Sequence, residues 1–107
     1  MRLFLAILTG LALTGGATAG CYEGVGCTDV NQFTKANLRQ LSCENLWYVR
    51  NSIFAENGYC FRTKRAQSYF DNAGCWVSDQ AQVKLSLIER QNVGSIVQVE
   101  GERGCPK

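Results

Sequence analysis

The stretch Leu41-Ser42-Cys43-Glu44-Asn45-Leu46-Trp47-Tyr48-Val49-Arg50-Asn51-Ser52-Ile53-Phe54-Ala55-Glu56-Asn57-Gly58 decides the fold. Ser42 has a short side chain that accepts a hydrogen bond from the first turn of a helix, and so marks a start. Leu46, Val49, Ile53 and Asn57 follow at i, i+3, i+7 and i+11, flanked by Trp47 and Phe54, which is the period of one helix face. Gly58 then supplies the left-handed residue on which helices end. The spacing predicts a helix over 43–57 with a start, a buried stripe and a stop.

Toward the C-terminus, Tyr59-Cys60-Phe61 reads as an extended link, and Thr63 caps a short helix over 64–70 with Ala66, Tyr69 and Phe70 facing inward. Asp71-Asn72-Ala73-Gly74 is a turn. Residues 78–84 are polar enough for a loop or a single helical turn. Ser86-Leu87-Ile88-Glu89 matches a capping box and opens a third helix, with Ile88, Val93, Ile96, Val97 and Glu100 along one side and Gly104 at its end. Gly94 weakens that helix by about 1 kcal/mol relative to alanine. Toward the N-terminus, residues 20–41 read as an irregular Cys- and Gly-containing lead-in, anchored by Phe33, Leu38 and Leu41. The expected fold is a single, small, mostly α domain of about three helices, with its helical part over 42–105.

Residues 1–19 have the layout of a secretory leader. Arg2 is the charged start, Leu3 to Leu13 is an apolar run, and Ala17-Thr18-Ala19 is an A-x-A cleavage pattern. The apolar run is shorter than the roughly 20 residues that span a bilayer, and no second one follows. Thr18-Ala19-Gly20-Cys21 also has the outline of a lipobox, in which Cys21 would carry lipid and become the first mature residue. Thr18 stands where leucine is usual, and lipidation would strand one of six cysteines, so a soluble periplasmic or secreted product is the favoured reading. Removing Arg2 with the leader lowers the basic residues from eleven to ten, against nine acidic ones. Such a near-neutral chain lacks the basic stripe that a nucleic-acid partner requires. Arg62, Lys64 and Arg65 read as a solvated turn of helix.

Cys21, Cys27, Cys43, Cys60, Cys75 and Cys105 make an even set in a short exported chain, which reads as a disulfide framework. Six cysteines allow 15 pairings. A helix over 43–57 is roughly 21 Å long at ~1.5 Å per residue, while bridged Cα atoms lie within about 7 Å. Cys43 therefore does not reach Cys60. Cys21–Cys27 closes a Gly-rich loop around Gly24 and Gly26. For the remaining four the preferred arrangement is Cys60–Cys75 with Cys43–Cys105; Cys43–Cys75 with Cys60–Cys105 stays open.

The chain contains no histidine, which removes Ser-His-Asp, Cys-His and His-metal chemistry. No C-x-x-C pair and no phosphate-binding glycine loop is present. Neither catalytic residues nor a cofactor or metal site are expected. Arg50, Asn51, Glu89 and Asn92 read as a structural polar motif whose side chains bond to neighbouring segments, Glu100 among them. Trp47, Tyr48, Tyr69 and Trp76 are the candidate binding surface, although aromatic side chains in a small domain more commonly fill its core. Two functional classes remain. One is an interaction module for an envelope protein or cell-wall component; the other is a structural or inhibitor-like disulfide protein presenting a rigid loop such as Cys21 to Cys27.

The segment from Leu41 to Glu100 resembles the YARHG domain, a small module of exported bacterial proteins. The resemblance lies in Leu41-Ser42, in Arg50-Asn51-Ser52-Ile53-Phe54-Ala55-Glu56-Asn57-Gly58-Tyr59-Cys60-Phe61, and in Tyr69-Phe70, Trp76 and Leu85-Ser86-x-x-Glu89-x-x-Asn92. The motif that names the family would read Tyr-Ala-Arg-His-Gly; here it is Phe54-Ala55-Glu56-Asn57-Gly58. Whatever the Arg-His pair does elsewhere does not carry over. The resemblance implies a presumed extracellular domain whose function is unknown.

Overall fold

The computed structural model describes residues 20–107. The expected leader, residues 1–19, lies outside the described residues. A two-rung antiparallel hairpin opens the fold, β1 (Cys21–Tyr22) against β2 (Gly26–Cys27). A single turn, α1 (Lys35–Leu38), is capped by the Thr34 side chain. The long helix α2 (Cys43–Glu56) follows, then α3 (Lys64–Tyr69), a 3-10 turn (Gln80–Gln82) and α4 (Leu87–Glu102). The fold is mostly α, as expected, with a fourth, one-turn helix added to the three read from sequence.

The helix starts are where the hydroxyls put them. Ser42, Thr63 and Ser86 each accept a backbone N–H from the third residue of their helix. Glu89 closes a reciprocal capping box by accepting the N–H of Ser86 at 2.8 Å. Gly58 follows the end of α2 at φ +89°, a conformation that only glycine adopts without steric penalty.

Helix α2 divides the interior into two apolar clusters. Its Leu46, Val49 and Ile53 pack with Ile96 and Val99 of α4, and with Val25, Phe33 and Leu38 from the N-terminal segment. On its other side Trp47, Tyr48, Phe54 and Ala55 cover Phe61, Ala66 and Phe70. Residues 20–41 are therefore integral to the core. They hold little regular structure because their order comes from contacts with α4, and no local periodicity announces it.

Three expectations about inward faces change. Tyr69 is half exposed, because its hydroxyl reaches to Glu44 on the surface of α2. On α4 the buried stripe is Glu89, Asn92, Ile96 and Val99, while Val97 is exposed. Val97 and Val99 lie about 200° apart around the helix at ~100° per residue, and the two buried polar residues set the rotation. Val25 and Thr28, both buried, were missing from the expected anchors.

The structure pairs Cys21 with Cys27, Cys43 with Cys105 and Cys60 with Cys75, leaving no free cysteine. Cys43–Cys105 ties the first turn of α2 to the tail beyond α4. Cys60–Cys75 closes the loop that carries α3.

Candidate functional site

The four residues of the polar motif serve four separate sites. Arg50 forms a two-pronged ion pair with Glu100, 2.8 Å from Nε to Oε1 and 3.2 Å from Nη2 to Oε2, which joins the middle of α2 to α4. Asn51 turns back on its own helix and donates to the carbonyl of Trp47 at 2.9 Å. Glu89 uses one oxygen in the capping box and accepts from Asn57 Nδ2 with the other at 3.1 Å. Asn92, fully buried, accepts the N–H of Phe33 at 2.8 Å and donates to the carbonyls of Thr28 and Asn31 at 3.1 and 2.8 Å. Each side chain satisfies a backbone group or a charge that burial would otherwise leave bare.

Glu56 and Asn57, at the end of α2, carry further polar contacts. Asn57 donates to the carbonyl of Ile53 at 2.7 Å as well as to Glu89, so it ties the end of α2 to the start of α4. Glu56 points the other way, toward the hairpin. It accepts the N–H of Gly20 at 2.7 Å and the hydroxyl of Thr28 at 2.8 Å. Burial pushes its carboxyl above the usual carboxylate range; the two hydrogen bonds oppose that shift, and negative charge on Glu89 and Asp29 adds to it. In the sequence Glu56 stood out only as a departure from the family motif; its role left no local signal, since its partners lie 28 and 36 residues away.

The four candidate surface aromatics do not form one patch. Trp47, Tyr48 and Tyr69 meet edge to face, with Trp47–Tyr69 centroids at 5.4 Å and Tyr48–Tyr69 at 5.8 Å. Arg65 lies 3.8 Å above the Trp47 ring and pairs with Glu44, which also accepts the Tyr69 hydroxyl at 3.0 Å. That hydrogen bond and the charge of Glu44 hold the Tyr69 phenol above its ordinary pKa. Trp47 is thus covered on one face by a cation, and the cluster is internally satisfied.

Trp76 stands apart, near the far end of α2. Its backbone N–H donates to the carbonyl of Gly58 at 2.9 Å, and Val77 adds a second bond to the same oxygen at 3.0 Å. The indole lies against Gly58 so closely that a Cβ there would fall 2.4 Å from the ring. Its remaining surface faces solvent, and the residue is 72% exposed. An open depression of about 690 Å³ lies at the same end of α2, between Phe54, residues 80–85 and Arg90.

Among the described residues no three His, Cys, Asp or Glu side chains are placed to hold a metal ion. No described helix is long and apolar enough to cross a membrane.

These features define a disulfide-stapled helical domain with one solvent-facing tryptophan supported from beneath by a glycine. The YARHG domain model matches residues 26–101, and the chain belongs to that family. The match takes in β2, α1 and the core residues Phe33 and Leu38. No curated protein and no solved structure matches the chain.

Proposed function

We propose that the protein is a non-catalytic, exported interaction module that binds an envelope protein or cell-wall component through the face carrying Trp76. The observation behind this reading is the exposure of Trp76 on a glycine-backed, disulfide-closed loop. A tryptophan held rigidly at the surface is a strong anchor for a partner. The inhibitor-like alternative calls for a protruding loop at Cys21 to Cys27. Against it, Val25 at the tip of that hairpin is buried in the main core.

Export to the periplasm or beyond is supported by the leader-like residues 1–19 and by three disulfides, which persist in oxidising compartments. The lipoprotein alternative needs a free thiol at Cys21, and that sulfur is bonded to Cys27.

The test compares wild type with Trp76→Ala in co-sedimentation with purified cell-wall sacculi and in cross-linking to envelope extracts. Binding that drops at least tenfold in the variant, with an unchanged urea midpoint, is the expected result. Equal retention of the two proteins would remove Trp76 as the anchor.

A further inference from the structure

Glu56 holds Gly20 in place from one side, and Thr28 holds it from the other. The Gly20 N–H donates to Oε2 of Glu56 at 2.7 Å, while its carbonyl accepts the N–H of Thr28 at 3.0 Å. This adds one further bond beyond the Cys21–Cys27 rung, so residue 20 is fixed and does not fray. The space around it is closed as well, since a Cβ at residue 20 would lie 2.7 Å from the Tyr22 hydroxyl and 3.0 Å from the Glu56 carboxylate.

The carboxylate is under-compensated. Among the described residues its partners are an amide and a hydroxyl, and none of the ion pairs includes it. The charged and titratable groups that bear on it, Glu89, Asp29 and Tyr22, bring no positive charge. A half-buried carboxylate so placed lacks one thing, a cation at the position of the Gly20 nitrogen.

We propose that Glu56 is the receptor for the α-ammonium group created when the chain is cut between Ala19 and Gly20. Hydrolysis of that peptide bond breaks the C–N bond and adds water across it, leaving a carboxylate on Ala19 and an ammonium on Gly20. The ammonium arises at an atom already 2.7 Å from the carboxylate, and processing completes an ion pair that the longer chain lacks. The inference rests on the reading of residues 1–19 as a cleaved leader. It also fixes the cut, because a chain beginning at Cys21 would leave Glu56 without this partner.

The protein is purified from the periplasm, and its intact mass gives the first residue. The α-amino group is then titrated by competitive acylation from pH 6 to 10, in native protein, in urea-unfolded protein and in Glu56→Gln. The expected product begins at Gly20. Its native α-amino midpoint lies more than one pH unit above the ordinary range of about 7.7–8.0, and both the unfolded chain and Glu56→Gln return to that range. Labelling at pH 6.5, well below both midpoints, is correspondingly about tenfold slower in the native protein, since there a shift of one unit is a factor of ten. A product that begins at Gly20 but titrates normally when native overturns the pairing and leaves the leader reading intact. A product with another first residue overturns both, and the mass alone separates the two failures. The native-to-unfolded comparison decides the matter even if Glu56→Gln does not fold.

Discussion

Asn92 shows what a single buried amide does in a chain this short. Its carbonyl oxygen takes a backbone donor and its amide protons take two backbone acceptors, all from residues 28–33. Only Asn or Gln offers an acceptor oxygen together with two donor hydrogens on an amide nitrogen, and Gln is one methylene too long for a fully buried slot. Asn92→Ala should cost about 3 kcal/mol, because it leaves several buried backbone groups unsatisfied at about 1–3 kcal/mol each with partial recovery by water; urea denaturation measures it. Gly58→Ala should also destabilise, since it meets both a left-handed backbone and the Trp76 ring. Its distinguishing signature is a red-shifted indole emission as Trp76 is displaced. Glu56 adds a pH dependence whose size depends on processing. In a chain extended beyond Gly20 its carboxyl is raised, so its contribution is fully present below the ordinary carboxylate value and is lost as pH rises through the raised one. An α-ammonium beside it draws the carboxyl down from that raised value, so the cut form loses less as pH rises. The stability difference between cut and extended forms, in which the shared carboxylates cancel, should therefore grow in favour of the cut form between pH 4 and 7. Urea midpoints of both forms across that range check it. Of these residues, Asn92 was visible in the sequence as a polar residue with a structural role. Its partners were not, because a hydrogen bond across some sixty residues leaves no local trace.

Helix α2 was legible to within one residue, since Ser42 and Gly58 state its limits in their own side-chain chemistry and Leu46, Val49 and Ile53 state its face. Helix α4 was legible in extent and misread in rotation. Counting apolar residues selects Val97, whereas Glu89 and Asn92 occupy the buried stripe because each has backbone or side-chain partners there. The two helices are joined by Arg50–Glu100, whose side chains are only 21% and 12% exposed. A pair this protected is screened less than a surface bridge. A double-mutant cycle with Arg50→Ala and Glu100→Gln should yield a coupling of about 1–2 kcal/mol, above the ~0.2–1 kcal/mol usual for exposed pairs. Arg65–Glu44, about half exposed on both sides, should give a coupling within that lower range. The sequence presented the candidate surface as one group of four aromatics. It came apart because Trp47 and Gly58 are eleven residues apart along α2 and its cap, about 16 Å of helical rise, and Trp76 follows Gly58.

At the scale of the whole molecule, the disulfides divide the work unequally. Cys43–Cys105 spans 62 residues of sequence and Cys21–Cys27 only 6. In the chain-entropy treatment the long loop contributes about 4 kcal/mol and the short one about 2. The paired substitution of Cys43 and Cys105 by alanine should accordingly lower the urea midpoint more than that of Cys21 and Cys27. Cysteine count and helix length made the framework readable down to two arrangements. The N-terminal segment was the least readable part, because a two-rung hairpin and a single helical turn carry too few residues for a period to show. The same covalent framework has a mechanical meaning. If the oxidised protein is held at Gly20 and Lys107 and pulled, tension crosses from Cys21 to Cys27 and from Cys43 to Cys105 through sulfur, so the enclosed loops carry no load. Only residues 28–42 can pay out, about 50 Å of chain at ~3.4 Å per residue, against about 300 Å once the bridges are reduced. The first element to resist is the anchorage of Phe33 and its neighbours on Asn92, which makes one buried amide the latch of the molecule under force.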